Sequence, residues 1–144
     1  IKRAQSCSSP MLQQWTLNEY IQGGDYDRHL CVMRKKLIYN CERMRALIST
    51  YFPDEVCVSK PQGGSVLWVR CQSHVNTSDF FQEAILLGVS FAPGNIFSPS
   101  GKYNNYMRIS YGVQWNEQIE TAVKTLGKLV YDYSYRQCQP STRA

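Results

Sequence analysis

The sequence predicts an α+β domain: a small sheet of three or four short, mostly antiparallel strands with helices packed on one face. Three observations predict it. Leu30, Leu37, Met44 and Tyr51 repeat every seven residues, with Arg34, Cys41 and Ile48 between them, so residues 25–51 form one long helix with a single stripe. Residues 106–111 alternate, with Met107, Ile109 and Tyr111 on one face and Tyr106, Arg108 and Ser110 on the other, as a half-buried strand requires. Ile119, Ala122, Val123, Leu126, Leu129 and Val130 recur at spacings of three and four, which marks a second amphipathic helix running to about residue 133.

The remaining elements follow in order. Residues 1–9 are polar and serine-rich, a loose lead-in, and Pro10 suits the first turn of a short helix over 11–21 that Gly23-Gly24 ends. Asp25 or Asp27 caps the long helix, and Phe52-Pro53 stops it, because a residue before proline is pushed out of helical geometry. Val56 and Val58 alternate with Cys57 and Ser59, predicting a strand over 55–60; a second covers 65–70, after the Gly63-Gly64 turn signal. A helix over 77–87 has Thr77 or Ser78 as its cap, Asp79 in its first turn and Gly88 as its left-handed end. A short apolar strand over 89–92 stops at Pro93-Gly94, and the polar stretch 95–105 reads as a loop with the character of a flap. Asn116 caps the last helix, with Glu117 and Glu120 near its positive end, and the polar tail from residue 137 should fray.

Composition narrows the function classes. A hydrophobic share of 43% fills a core, and with 19% charged residues the chain is not of the disordered type. No apolar run approaches the ~20 residues needed to span a bilayer, and no basic-then-apolar leader opens the chain, so the expected setting is cytoplasmic with no membrane partner. A net charge of +5 is ordinary surface chemistry at this size. The basic residues of the long helix lack the aromatic interleaving of a base-stacking surface and read as a solvated flank. Cys7, Cys31, Cys41, Cys57, Cys71 and Cys138 contain no C-x-x-C pair, and His29 and His74 stand apart, so no metal site is expected and the cysteines read as reduced thiols. No Ser, His and Asp spacing indicates a hydrolase, and no phosphate loop is present.

One chemical group stands out. Arg108 sits on the strand face opposite the core, where an arginine either lies in water or points into a site. Trp68, in an apolar run, reads as core; His29 as a cap or interdomain hydrogen-bonding group; and His74 as an exposed loop residue.

The motifs also carry a resemblance. Pro61-Gln62-Gly63-Gly64 before Leu67-Trp68-Val69, then Gly88-Val89, Pro93-Gly94 with Phe97, and Met107-Arg108-Ile109-Ser110 resemble, in order and spacing, the C-terminal small domain of fold-type I pyridoxal-phosphate (PLP) aminotransferases. Gly24-Asp25-Tyr26-Asp27-Arg28-His29-Leu30, followed by Arg34, looks like the interdomain helix of the MocR branch of GntR-type transcriptional regulators, the nearest likeness. It spans residues 11–130. The resemblance implies a division into residues 1–24, leaving a large domain, 25–135, the small domain, and 136–144, a tail. It implies that Arg108 holds the carboxylate of an amino-acid-type ligand, a task suited to the guanidinium's planar fork of donors. It places Pro93, Gly94 and Phe97 on a loop near the mouth of that site.

The lysine that carries PLP in the family belongs to the large domain, and none of the lysines here matches its motif. PLP is therefore expected in a longer parent, with none bound to this chain, and the isolated chain should be catalytically inactive. The start at Ile1 fits a piece excised from such a parent. The resemblance further implies partners in the parent: the large domain, DNA bound through a winged helix, and a second copy in a homodimer. A small domain of a genuine aminotransferase is the alternative.

Overall fold

The structure, a computed structural model, describes residues 10–136, which separate into two units, 10–36 and 37–136. In the first unit, α1 (Met11–Gln22) follows Pro10 and has no buried residue, exposing Met11, Leu12, Trp15 and Leu17. The long helix α2 (Asp25–Tyr51) begins in this unit, with Asp25 and Asp27 in its first turn, where the helix dipole favours acids. Arg28 pairs with Asp25 at 2.8 Å.

The second unit takes up the rest of α2 from Leu37. It continues with β1 (Cys57–Val58), β2 (Val66–Arg70), α3 (Phe81–Leu86), β3 (Ala92–Pro93), a 3₁₀ turn (Gly94–Phe97), β4 (Tyr106–Ser110) and α4 (Glu117–Arg136). The four strands form one sheet in the order β1-β2-β4-β3, every neighbouring pair antiparallel. The expected α+β architecture is the observed one.

Alternation fixes the sheet's two faces. Leu67 and Val69 of β2 stand opposite Ile109 and Met107 of β4, and all four are buried. They pack with Met44 and Ile48 of α2 and with Val123, Leu126, Leu129 and Val130 of α4; the α4 stripe read from sequence is largely the buried one, whereas in the α2 stripe Leu37 and Cys41 are only partly buried and Arg34 and Tyr51 are exposed. Asn116 Oδ1 accepts the Ile119 amide at 3.1 Å, capping α4 as expected. Phe52 donates its amide to Ile48 and Pro53 follows, ending α2 where proline dictates. Gly88, at φ +77°, closes α3 in the left-handed form, with the Val89 amide reaching back to Ala84 at 2.8 Å.

Three expectations needed correction. The helix over 77–87 is shorter, because Thr77 does not cap it: its hydroxyl is drawn 2.7 Å from the Tyr106 carbonyl, and α3 begins only at Phe81. Residues 89–92 do not form the third strand as a block. Only Ala92 and Pro93 pair, with Arg108 and Met107, and Pro93 has no amide to extend the ladder. The strand over 55–60 pairs only at Cys57 and Val58.

Candidate functional site

The site is built on the sheet face turned away from the core. Trp68 and Arg108 are direct cross-strand partners on β2 and β4, so their side chains share that face. Arg108 is exposed, and its guanidinium carbon lies 4.8 Å from the centre of the Phe97 ring, brought there by the 3₁₀ turn after β3. Such stacking occupies the guanidinium's face and leaves its edge of N–H donors open.

Trp68 is the hub of the surrounding rings. Phe97 meets it edge-on at 5.1 Å, Tyr103 lies 5.7 Å away and Tyr106 6.0 Å. Tyr103 and Tyr106 themselves pack edge to face at 5.4 Å, and the Lys102 ammonium sits 5.5 Å from the Tyr103 ring. Neither Arg108 nor Lys102 has a carboxylate partner among the described residues, whereas Arg28 pairs with Asp25 and Arg43 with Glu120. The face is thus cationic and aromatic.

Of the residues singled out from sequence, Arg108 and Phe97 come together, while Pro93 and Gly94 lie beneath them as scaffold. Pro93 is buried opposite Met107, and Gly94 is packed under the chain at Tyr103 and Tyr106. Trp68 is not a core residue. It is half-buried and sits with Arg108, because its neighbours Leu67 and Val69 take the two inward positions of β2. The contributions of Tyr103 and Tyr106 went unread; the parity of Tyr106 with Arg108 was the available signal.

The other candidates fall elsewhere. His74 is not merely exposed, since its Nε2 lies 3.0 Å from the Ser134 carbonyl of α4. Arg43, one of the basic residues of α2, is held by Glu120 and stacks 4.8 Å from the Trp115 ring, whose indole N–H donates to the same carboxylate at 3.2 Å. Cys31, Cys41, Cys57 and Cys71 are free thiols, and burial pushes Cys71 up to about 12; Cys7 and Cys138 lie outside the described residues. Arg70 is raised above its ordinary value, chiefly by the hydrogen bond to the Cys57 thiol and next by Tyr106.

Lys35, Lys36, Lys60, Lys102, Lys124 and Lys128 are all exposed, whereas a lysine that forms a Schiff base needs a desolvated or cation-lined pocket to lower its pKa. The described lysines do not fit the covalent attachment of PLP. Among the described residues no cluster of His, Cys, Asp and Glu could hold a metal ion, and no helix is long and apolar enough to cross a membrane.

No protein-family profile matches the chain. Its sequence is 33% identical over 112 residues to the uncharacterized HTH-type transcriptional regulator YjiR of Escherichia coli, covering 78% of this chain and 24% of that protein. It is 32% identical over 127 residues to YdcR, another uncharacterized HTH-type regulator of Escherichia coli, covering 88% and 27%. Among solved structures, the kynurenine aminotransferase of Pyrococcus horikoshii superposes with a TM-score of 0.81 at 23% identity, over 91% of this chain and 32% of that one. LysN, the α-aminoadipate aminotransferase of Thermus thermophilus, does so at 0.78 and 26% identity, over 92% and 34%. The chain spans about a quarter of the length of the curated relatives it matches. The chain is thus similar in sequence to about a quarter of the length of HTH-type transcriptional regulators and in fold to about a third of solved aminotransferase chains, the likeness expected of an aminotransferase small domain.

Proposed function

We propose that this chain is the C-terminal part of an aminotransferase-like effector domain in a MocR/GntR-type transcriptional regulator, where Arg108 receives the carboxylate of an amino-acid-type ligand. The observation that carries the reading is Arg108 itself. It is fixed on a strand, stacked by Phe97 on one face, and has no carboxylate partner among the described residues. A guanidinium held this way presents paired donors to a carboxylate with both charge and geometry.

In this reading residues 25–135 are the small domain, 1–24 lead out of a large domain and 136–144 are its tail. PLP belongs to the parent, attached to a lysine outside this chain, and supplies electrophilic imine chemistry when bound. DNA is contacted through a separate winged helix, two parents form a homodimer, and the protein works in the cytoplasm. Pro93 and Gly94 set the path of the turn that carries Phe97 to the mouth of the site.

The test is made in the parent protein, with direct measurement of amino-acid binding to wild type, Arg108→Ala and Arg108→Lys. Removing one partner of a charged pair that the bound ligand buries costs about 2–5 kcal/mol, so Arg108→Ala should weaken binding by roughly thirtyfold or more. Arg108→Lys should recover only part of it, because an ammonium lacks the fork. Unchanged affinity in a folded Arg108→Ala protein overturns the assignment.

A genuine aminotransferase is the second reading, favoured by the 27% identity to the 2-aminoadipate transaminase of Thermus thermophilus over 88% of this chain. Transamination by the parent without ligand-dependent DNA binding would establish it over the regulator.

A further inference from the structure

Arg108 accounts for one end of a ligand, and the rings around it address the other. Trp68, Phe97, Tyr103 and Tyr106 form a continuous aromatic surface on the solvent side of the sheet, each ring within 6.0 Å of Trp68. Surfaces of this kind normally turn such rings into the core; here Leu67, Val69, Met107 and Ile109 already fill it from the opposite face. Phe97 is 36% exposed, so a ligand lying beside Arg108 has ring surface to cover. Both cations on the plate, Arg108 and Lys102, are without an acid partner among the described residues, so an anionic group is complementary and a cationic one is not.

We propose that the Trp68–Phe97–Tyr103–Tyr106 surface is a specificity element that selects carboxylate ligands carrying an aromatic or large apolar side chain. The proposal rests on the reading of Arg108 as the carboxylate-binding residue and adds the class of side chain. The carboxylate takes the open edge of the guanidinium. The side chain lies against Phe97 and Trp68 and displaces water from both. Phe97 acts doubly, as a positioning residue that holds the guanidinium plane and as a contact for the ligand. Aromatic contacts of this type add roughly five- to tenfold in affinity beyond what a carboxylate alone obtains.

The experiment is a nuclear magnetic resonance titration of the chain with 3-phenylpropionate and with propionate, read at the Arg108 Nε–H and the Trp68 indole N–H. The expected result is that 3-phenylpropionate shifts both signals and binds roughly five- to tenfold more tightly than propionate. Phe97→Leu, at a part-exposed position, should bring the ratio of the two affinities toward one, and Trp68→Leu, read at the Arg108 signal, should do the same. Equal affinity for the two acids at Arg108 overturns the specificity element and leaves the arginine's role standing. Binding of 3-phenylpropionate that is undiminished in Arg108→Ala overturns the arginine's role instead. No shift at either signal with millimolar acid overturns the proposal.

Discussion

The Asn40 side-chain amide donates to the carbonyl of Tyr111 at 3.0 Å, tying the middle of α2 to the residue that follows β4. The same nitrogen reaches the Val113 carbonyl at 2.8 Å, so one buried amide holds two points of the chain leaving the strand that carries Arg108. Tyr111 is anchored at its other end, where its hydroxyl donates to the Gly64 carbonyl at 3.0 Å. The exit of β4 is therefore pinned to a helix and to the turn before β2, which keeps the strand's parity, and with it the direction of Arg108, from slipping.

Replacing Asn40 with alanine should cost about 1–3 kcal/mol, because the Tyr111 carbonyl is left buried without its donor. Asn40→Asp should cost more at neutral pH, since a carboxylate offers the two carbonyls no proton and adds a buried charge. Urea unfolding of the three proteins checks the order. Equal stability of wild type and Asn40→Ala would mean that water replaces the amide without loss.

Cys71 gives a pH dependence with a definite sign. Burial raises its thiol from the ordinary 9.0 to about 12, so the folded chain keeps a proton that the unfolded chain gives up. The stabilisation is complete below pH 9.0 and is lost progressively as pH rises toward the folded value. Stability should fall between these limits with a contribution of up to about 1.4 kcal/mol per pH unit. Cys71→Ala should lose that part of the slope, as measured by urea unfolding at a series of alkaline pH values. In the native protein, alkylating reagents should modify exposed Cys31 and Cys57 and spare Cys71. An identical alkaline slope in the alanine variant would refute the burial argument.

The features legible in the sequence were those set by local periodicity and punctuation. The bounds of α2 could be read because Asp25 and Asp27 mark its start and Pro53 stops its end, and the start of α4 because Asn116 caps it. Arg108 could be placed opposite the core because β4 alternates cleanly. Trp68 could not, because it lies in the unbroken apolar run Val66-Leu67-Trp68-Val69, where composition hides which residues face in; only pairing with β4 decides. The start of α3 was misjudged for a related reason. Thr77 has good capping chemistry, but the Tyr106 carbonyl, 29 residues away, competes for its hydroxyl and wins. The contact of Phe97 with Arg108 is equally non-local and follows from a two-residue edge strand that sequence cannot register.

Gly94 joins the fold to the site most directly. A Cβ built there would collide with the Tyr103 carbonyl oxygen and stand 2.7 Å from that of Tyr106. Both obstacles are backbone, so no side chain can swing aside; either the 3₁₀ turn or the 103–106 segment must move. Gly94 also donates its amide to Thr77 Oγ1 at 3.4 Å, and that contact would stretch. Gly94→Ala should therefore destabilise the domain by about 1–3 kcal/mol, the usual cost of overpacking. Because Phe97 lies three residues on and Tyr103 and Tyr106 are the groups displaced, the same substitution should shift the Arg108 Nε–H resonance. Gly63→Ala is the control: a Cβ there meets nothing within 4 Å, and its stability should match wild type. If the two alanine variants unfold at the same urea concentration, the close approach at Gly94 is not what requires glycine, and the turn holding Phe97 is looser than its packing indicates.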